Sequence, residues 1–89
     1  MQKSFNVYAD SQHGWIKVSM KTLNALGIRS KISAHSYMKN DDAYLEEDRD
    51  ASLLINALQS IGITPKFKEH HTDRSSKIRN YDSYSTMYK

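Results

Sequence analysis

The sequence of 89 residues contains no cysteine, so neither a disulfide nor a thiolate metal site can brace it. No apolar run approaches the roughly 20 residues that a membrane-spanning helix needs. The first ten residues, "MQKSFNVYAD", lack the apolar stretch of a secretory leader. These absences lead us to expect a soluble, cytoplasmic protein with no membrane partner. Several chemistries also lack their motifs. The chain has no HExxH, no Cys/His finger, no G-x-S-x-G elbow and no EF-hand spacing. A chain of this length makes one domain with a small core.

Charge is present, and its layout matters more than its sum. The formal net charge is +3, divided as +4 over residues 1–38, −4 over 39–50 and +3 over 51–89. An acidic belt therefore lies between two basic segments. Lys and Arg that neutralise phosphates release counterions, so the basic segments invite a nucleic-acid partner.

Hydrophobic periodicity gives the elements. "FNVYA" (5–9) alternates as a strand, "DSQHG" is turn chemistry, and "WIKV" (15–18) resumes as a second strand. Ser19 is placed to cap a short helix over "MKTLNAL", which Gly27 ends with Ile28 closing the turn. "KISAHSYM" (31–38) alternates again and predicts a third strand; "AYLE" (43–46) predicts a fourth. Asp48 is the expected N-cap of a second helix. Its apolar stripe is Ala51, Leu54, Ile55, Leu58 and Ile61, and Gly62 and Pro65 stop it. "KFKEH" (66–70) predicts a fifth strand at the sheet edge, with Lys66 and Lys68 outward. The expected fold is α+β and two-layered: an antiparallel sheet of about five strands with two helices on one face, in the order ββαββαβ. Residues 1–71 form the compact body. Residues 72–89 form a polar, basic, tyrosine-rich segment packed on the body or extending from it.

The candidate functional residues fall in two groups. "HHTDRSSKIRNYDSY" (70–84) gathers cations, hydroxyls and rings. Lys66, Lys68, Arg74, Ser75, Ser76, Lys77 and Arg79 are candidate contacts to an anion or a nucleic acid, with Tyr81, Tyr84 and Tyr88 as rings on which bases could stack. A serine capping a short C-terminal helix would add its amides. The alternative is a solvated tail whose tyrosines lie back on the sheet. Candidate contacts to a macromolecular partner are His13, Trp15, Asp41, Asp42, Glu46, Glu47, Asp48, His70 and His71. Trp15 reads as a recognition anchor or, more often for such a residue, as a large core side chain. The acids of "DDAYLEEDRD" suit a turn and a helix start, and adjacent histidines on a strand point to opposite faces. Neither cluster predicts a metal site. No cofactor and no catalytic residue is expected.

The pattern "NVYAD-x-x-HGWIKV", "LGI…KIS-x-x-SY", "YLEED-x-D" and "HHT-x-x-SSKIR-x-Y" resembles a family of small phage, prophage and mobile-element proteins of bacteria, from Asn6 to Tyr81. The resemblance assigns no catalytic residue. It implies a non-enzymatic protein in the cytoplasm of an infected or lysogenic host. Such a protein binds a host protein or protein–nucleic-acid complex, and inhibitors of host defence such as anti-CRISPR proteins are of this kind. The alternatives are a nucleic-acid binding module built on the basic C-terminal segment, and a binder of a small anionic nucleotide between Trp15, His70 and the tail. A homodimer through the 66–70 edge is open to a core this small.

Overall fold

The computed structural model describes residues 2–74 and 76–85. The elements follow as β1 (Gln2–Ala9), β2 (Gly14–Ser19), α1 (Met20–Leu26), β3 (Tyr37–Lys39), β4 (Asp42–Glu46), α2 (Ala51–Ser60), β5 (Thr64–His71) and β6 (Asp82–Ser83). One sheet holds all six strands in the order β5-β1-β2-β4-β3-β6. The domain is α+β, with both helices packed on one face of the sheet. No helix among the described residues is long and apolar enough to cross a membrane.

The sheet differs from expectation in two respects. It has six strands, and it is mixed, because β5 lies parallel to β1 with Phe5 opposite Phe67 and Ala9 opposite His71. The direction follows from the connections. β2 is antiparallel to β1 and to β4, so β4 runs with β1. Helix α2 then carries the chain back to the end where β4 began, and β5 must run the same way. The sixth strand is two residues long and pairs with β3. It is too short to show a period.

The helix ends are as the residues dictate. The Ser19 hydroxyl accepts from the Thr22 amide at 3.1 Å and caps α1. Gly27, at φ 73°, lets the Ile28 amide reach the Leu23 carbonyl at 3.1 Å. Helix α2 ends alike: Gly62 has φ 79° and the Ile63 amide reaches the Leu58 carbonyl at 2.9 Å. That turn corrects the predicted apolar stripe. Ile61 is 60% exposed, and Ile63 takes the place against the core.

The expected strand over 31–38 shrinks to Tyr37–Lys39. Arg29–Lys31 form a 3-10 turn, and Ile32 drops into the core. The reason lies in Asp50, which is only 3% exposed. Its carboxylate accepts from the Ser33 amide, the Ser33 hydroxyl and the Ser36 hydroxyl. Side-chain bonds thus replace the strand ladder across 33–36. They also occupy the carboxylate, so Asp50 precedes α2 without capping it by its side chain, while the expected cap, Asp48, sits in the turn before.

Both faces of the sheet are covered. Toward the helices lie Phe5, Val7, Ile16, Val18, Met38 and Leu45 with Leu23, Leu54 and Leu58. On the other face Trp15 and Tyr44 are buried beneath Ile78, with Tyr8, Tyr37 and Tyr81 around them. The covering piece is the C-terminal segment, whose 3-10 turn Lys77–Asn80 is capped by the Ser76 hydroxyl. The chain then passes around the β3 edge through β6. Tyr84 enters the helix-side core at 3% exposure, and its hydroxyl donates to the Arg29 carbonyl at 2.6 Å.

Candidate nucleic-acid interface

Strand alternation sorts the functional side chains. Register with β1 places Lys66, Lys68 and His70 on the same face as Ser4, Asn6 and Tyr8, opposite the helices. Lys17 joins them from β2. The C-terminal segment covers this face over Trp15 and Tyr44 and leaves the β5–β1 side open. The imidazole of His70 stacks on the half-buried Tyr8 ring at 5.0 Å and 17°, and its Nε2 lies 3.2 Å from the Asn6 amide oxygen. Beyond this pair opens a groove of ≈ 330 Å³, lined by Tyr8, His70, His71, Arg74, Ser76 and Lys77. Lys77 also borders a second depression of ≈ 390 Å³ with Lys39 and Tyr81, where the Lys39 ammonium sits 4.7 Å from the Tyr81 ring.

Three carboxylates around this face have partners, while exposed Asp82 borders the second depression beside Lys39 and Lys77. Asp10 is buried and takes Arg79 through both of its oxygens, at 2.8 and 3.1 Å. That guanidinium holds the Asp10 carboxyl far below the usual carboxylate range, helped by the Ser76, Gln12 and His13 amides and opposed by burial. Asp42 lies 3.7 Å from the Lys17 ammonium. Exposed Asp73 sits 3.8 Å from the His71 ring. Among the described residues no salt bridge engages Lys66, Lys68, Arg74 or Lys77. Burial, and then the neighbouring Tyr81 and Asp42 with Tyr8, push the Tyr44 hydroxyl up to about 12, so it stays neutral.

The expected contacts therefore divide. Lys66, Lys68 and His70 share one open face, and His71, Arg74 and Lys77 line the groove at its His70 end. Ser75 and Tyr88 lie outside the described residues. Ser76 is buried and caps its own turn, and Arg79 is bound to Asp10, so neither offers a free group. Tyr81 is half-buried against Tyr44, and buried Tyr84 presents no ring to solvent. Trp15, 1% exposed, is a core residue and not a surface anchor. The acidic belt does not form one patch. Asp41 is exposed at the β3–β4 turn, Asp42 pairs with Lys17, Glu47 borders a groove beside α2, and Glu46 and Asp48 turn toward His13.

Asn6, Tyr8, Lys17 and Lys39 were not among the expected contacts. A signal for them exists in the sequence. The positions that alternate with Val7, Ile16, Met38 and Leu45 along their strands include Tyr8, Trp15, Tyr37 and Tyr44, which is too aromatic for a face left to water. No family model, curated protein or solved structure matches the chain.

Proposed function

We propose that the protein is a non-enzymatic binding module whose open sheet face holds single-stranded nucleic acid. One observation carries the reading. Lys66, Lys68, Arg74 and Lys77 follow one another along the β5 side of the sheet, around the Tyr8–His70 stack, while the nearest buried carboxylate is neutralised by Arg79. Phosphates supply affinity through such cations, and a half-exposed ring supplies a sequence-tolerant stacking platform. The resemblance to phage and mobile-element proteins suits a ligand in a bacterial host, either a free strand or the nucleic acid of a host defence complex.

The test is binding of a fluorescent single-stranded oligonucleotide across a salt series. Four phosphate contacts predict a slope of log K against log salt of about −3, and each Lys→Gln change at 66, 68 or 77 reduces it by about 0.7. A flat salt dependence overturns the proposal. A second reading, an inhibitor that grips a host protein, is favoured by Ile61 and Phe67, which are 60% and 44% exposed beside α2 and β5. It predicts that the immobilised protein retains a discrete host protein after nuclease treatment, and that Phe67→Ser abolishes the retention.

A further inference from the structure

We propose that His13, Glu46 and Asp48 form a binding site for one divalent transition-metal ion of the zinc or manganese class. The site is separate from the basic face. His13 ends the β1–β2 loop, Glu46 ends β4, and Asp48 lies in the turn before α2. One ligand atom from each lies within 4.8 Å of the others.

The backbone holds these segments together without help from an ion. The Asp10 carboxylate accepts the Gln12 and His13 amides at 2.9 Å each, and the Asp10 amide donates to the His13 carbonyl at 2.9 Å. On the other side the Glu46 amide donates to the Ser36 hydroxyl at 2.9 Å, and the Asp50 amide to the Glu46 carbonyl at 2.9 Å. A bond of 2.9 Å from the Glu47 amide to the Gly14 carbonyl joins the two ligand segments. The ligands are therefore set by structure already formed.

A second observation points to a ligand. His13 Nδ1 is buried and has no hydrogen-bond partner among the described residues. The same is true of Nε1 of Trp15, whose ring centre is 6.1 Å from that of His13. Buried ring nitrogens are ordinarily paired, and an ion bound through Nδ1 of His13 would satisfy one of these two. Charge agrees. Two carboxylates offset a divalent cation, and the nearby Arg79 guanidinium is committed to Asp10.

The donor set selects the ion. One imidazole with two carboxylates suits zinc, manganese, cobalt or nickel, whereas calcium and magnesium prefer oxygen alone. Metal bonds of about 2.1 Å put tetrahedral ligands about 3.4 Å apart, so the cluster must contract by up to about 1.4 Å. Asp48 is exposed and free to supply that movement. Three protein ligands leave a coordination position to water.

The experiment is calorimetric titration of the untagged full chain with zinc chloride and with manganese chloride, followed by thermal melts. We expect one ion per chain, a melting temperature raised by roughly 10 °C at a hundredfold excess over Kd, and a violet to blue absorption when cobalt replaces zinc. His13→Gln and Asp48→Asn each weaken binding at least tenfold. The double variant His70→Asn, His71→Asn leaves it unchanged. Asp48 is on the surface, so its variant keeps the fold even if His13→Gln does not. Retention of full affinity in Asp48→Asn overturns the proposal. So does loss of binding in the His70/His71 variant, or a Kd above about 1 mM for both ions.

Discussion

Asp10 accepts five hydrogen bonds on its two oxygens, from the amides of Gln12, His13 and Ser76 and twice from Arg79. It ties the first loop to the C-terminal segment, across 69 positions of sequence in the case of Arg79. Its folded proton affinity lies well below the ordinary value of 3.8. The unfolded chain therefore binds this proton more readily than the native one. The contribution to stability is full above about pH 5 and is lost as acid is added below about pH 4. Urea midpoints measured from pH 2 to 7 should fall on the acid side, and Asp10→Asn should lower the midpoint at pH 7 while flattening the acid limb. An unchanged limb would assign the acid sensitivity to other carboxylates. The same pair separates two kinds of cation. Lys68→Gln should reduce the salt slope of oligonucleotide binding by about 0.7 and leave the melting temperature nearly unchanged. Arg79→Gln should do the reverse. Sequence alone offers Arg79 and Lys77 as equals, because nothing local marks a partner so far along the chain.

At the scale of elements, legibility followed how local the cause was. Ser19 before α1, and Gly27 and Gly62 after the helices, act within one turn of themselves and read correctly. The α2 stripe read correctly at Ala51, Leu54 and Leu58, but Ile55 borders an open groove while Leu53 and Ala57 pack on the core. At Ile61 the left-handed turn rather than helical period decides which isoleucine packs. The third strand misled because alternation at 31–38 is shared by two structures. Only the burial of Asp50 beneath Ser33 and Ser36, set by tertiary packing, selects the turn over the strand. The same cause hides the parallel pairing of β5, since a strand's partner is chosen by where α2 delivers it. The Ser36 hydroxyl donates to Asp50 and accepts from the Glu46 amide, so it serves two buried groups at once. Ser36→Ala should cost about 2 kcal/mol, read as a lower urea midpoint with unchanged m, because both partners lose a bond while buried. Ser30→Ala, at an exposed position, should cost nearly nothing and serves as the control.

For the whole molecule, the question is whether the C-terminal segment is an appendage or a third layer. The sequence leaves both open, since residues 72–89 have no clear period and few aliphatic groups. The structure gives them Ile78, 2% exposed over Trp15, and Tyr84 in the helix-side core. The aromatic outer positions of β1, β2, β3 and β4 explain why such a layer is needed: Trp15 and Tyr44 would otherwise face water. The binding face depends on it too, because Arg74 and Lys77 belong to this segment and meet β5 only while it is docked. Ile78→Ala should therefore cost 2–5 kcal/mol in the intact chain, lowering the melting temperature by roughly 10 °C or more. Trp15 is the sole tryptophan and lies directly beneath, so its emission should shift to the red under conditions where the wild type remains folded. Loss of the layer should also weaken oligonucleotide binding toward that of a chain lacking both Arg74 and Lys77 cations. If Ile78→Ala changes neither the melting temperature nor the Trp15 emission, the segment is an appendage. The open face would then end at β5, with Lys66 and Lys68 as its cationic contacts from that side.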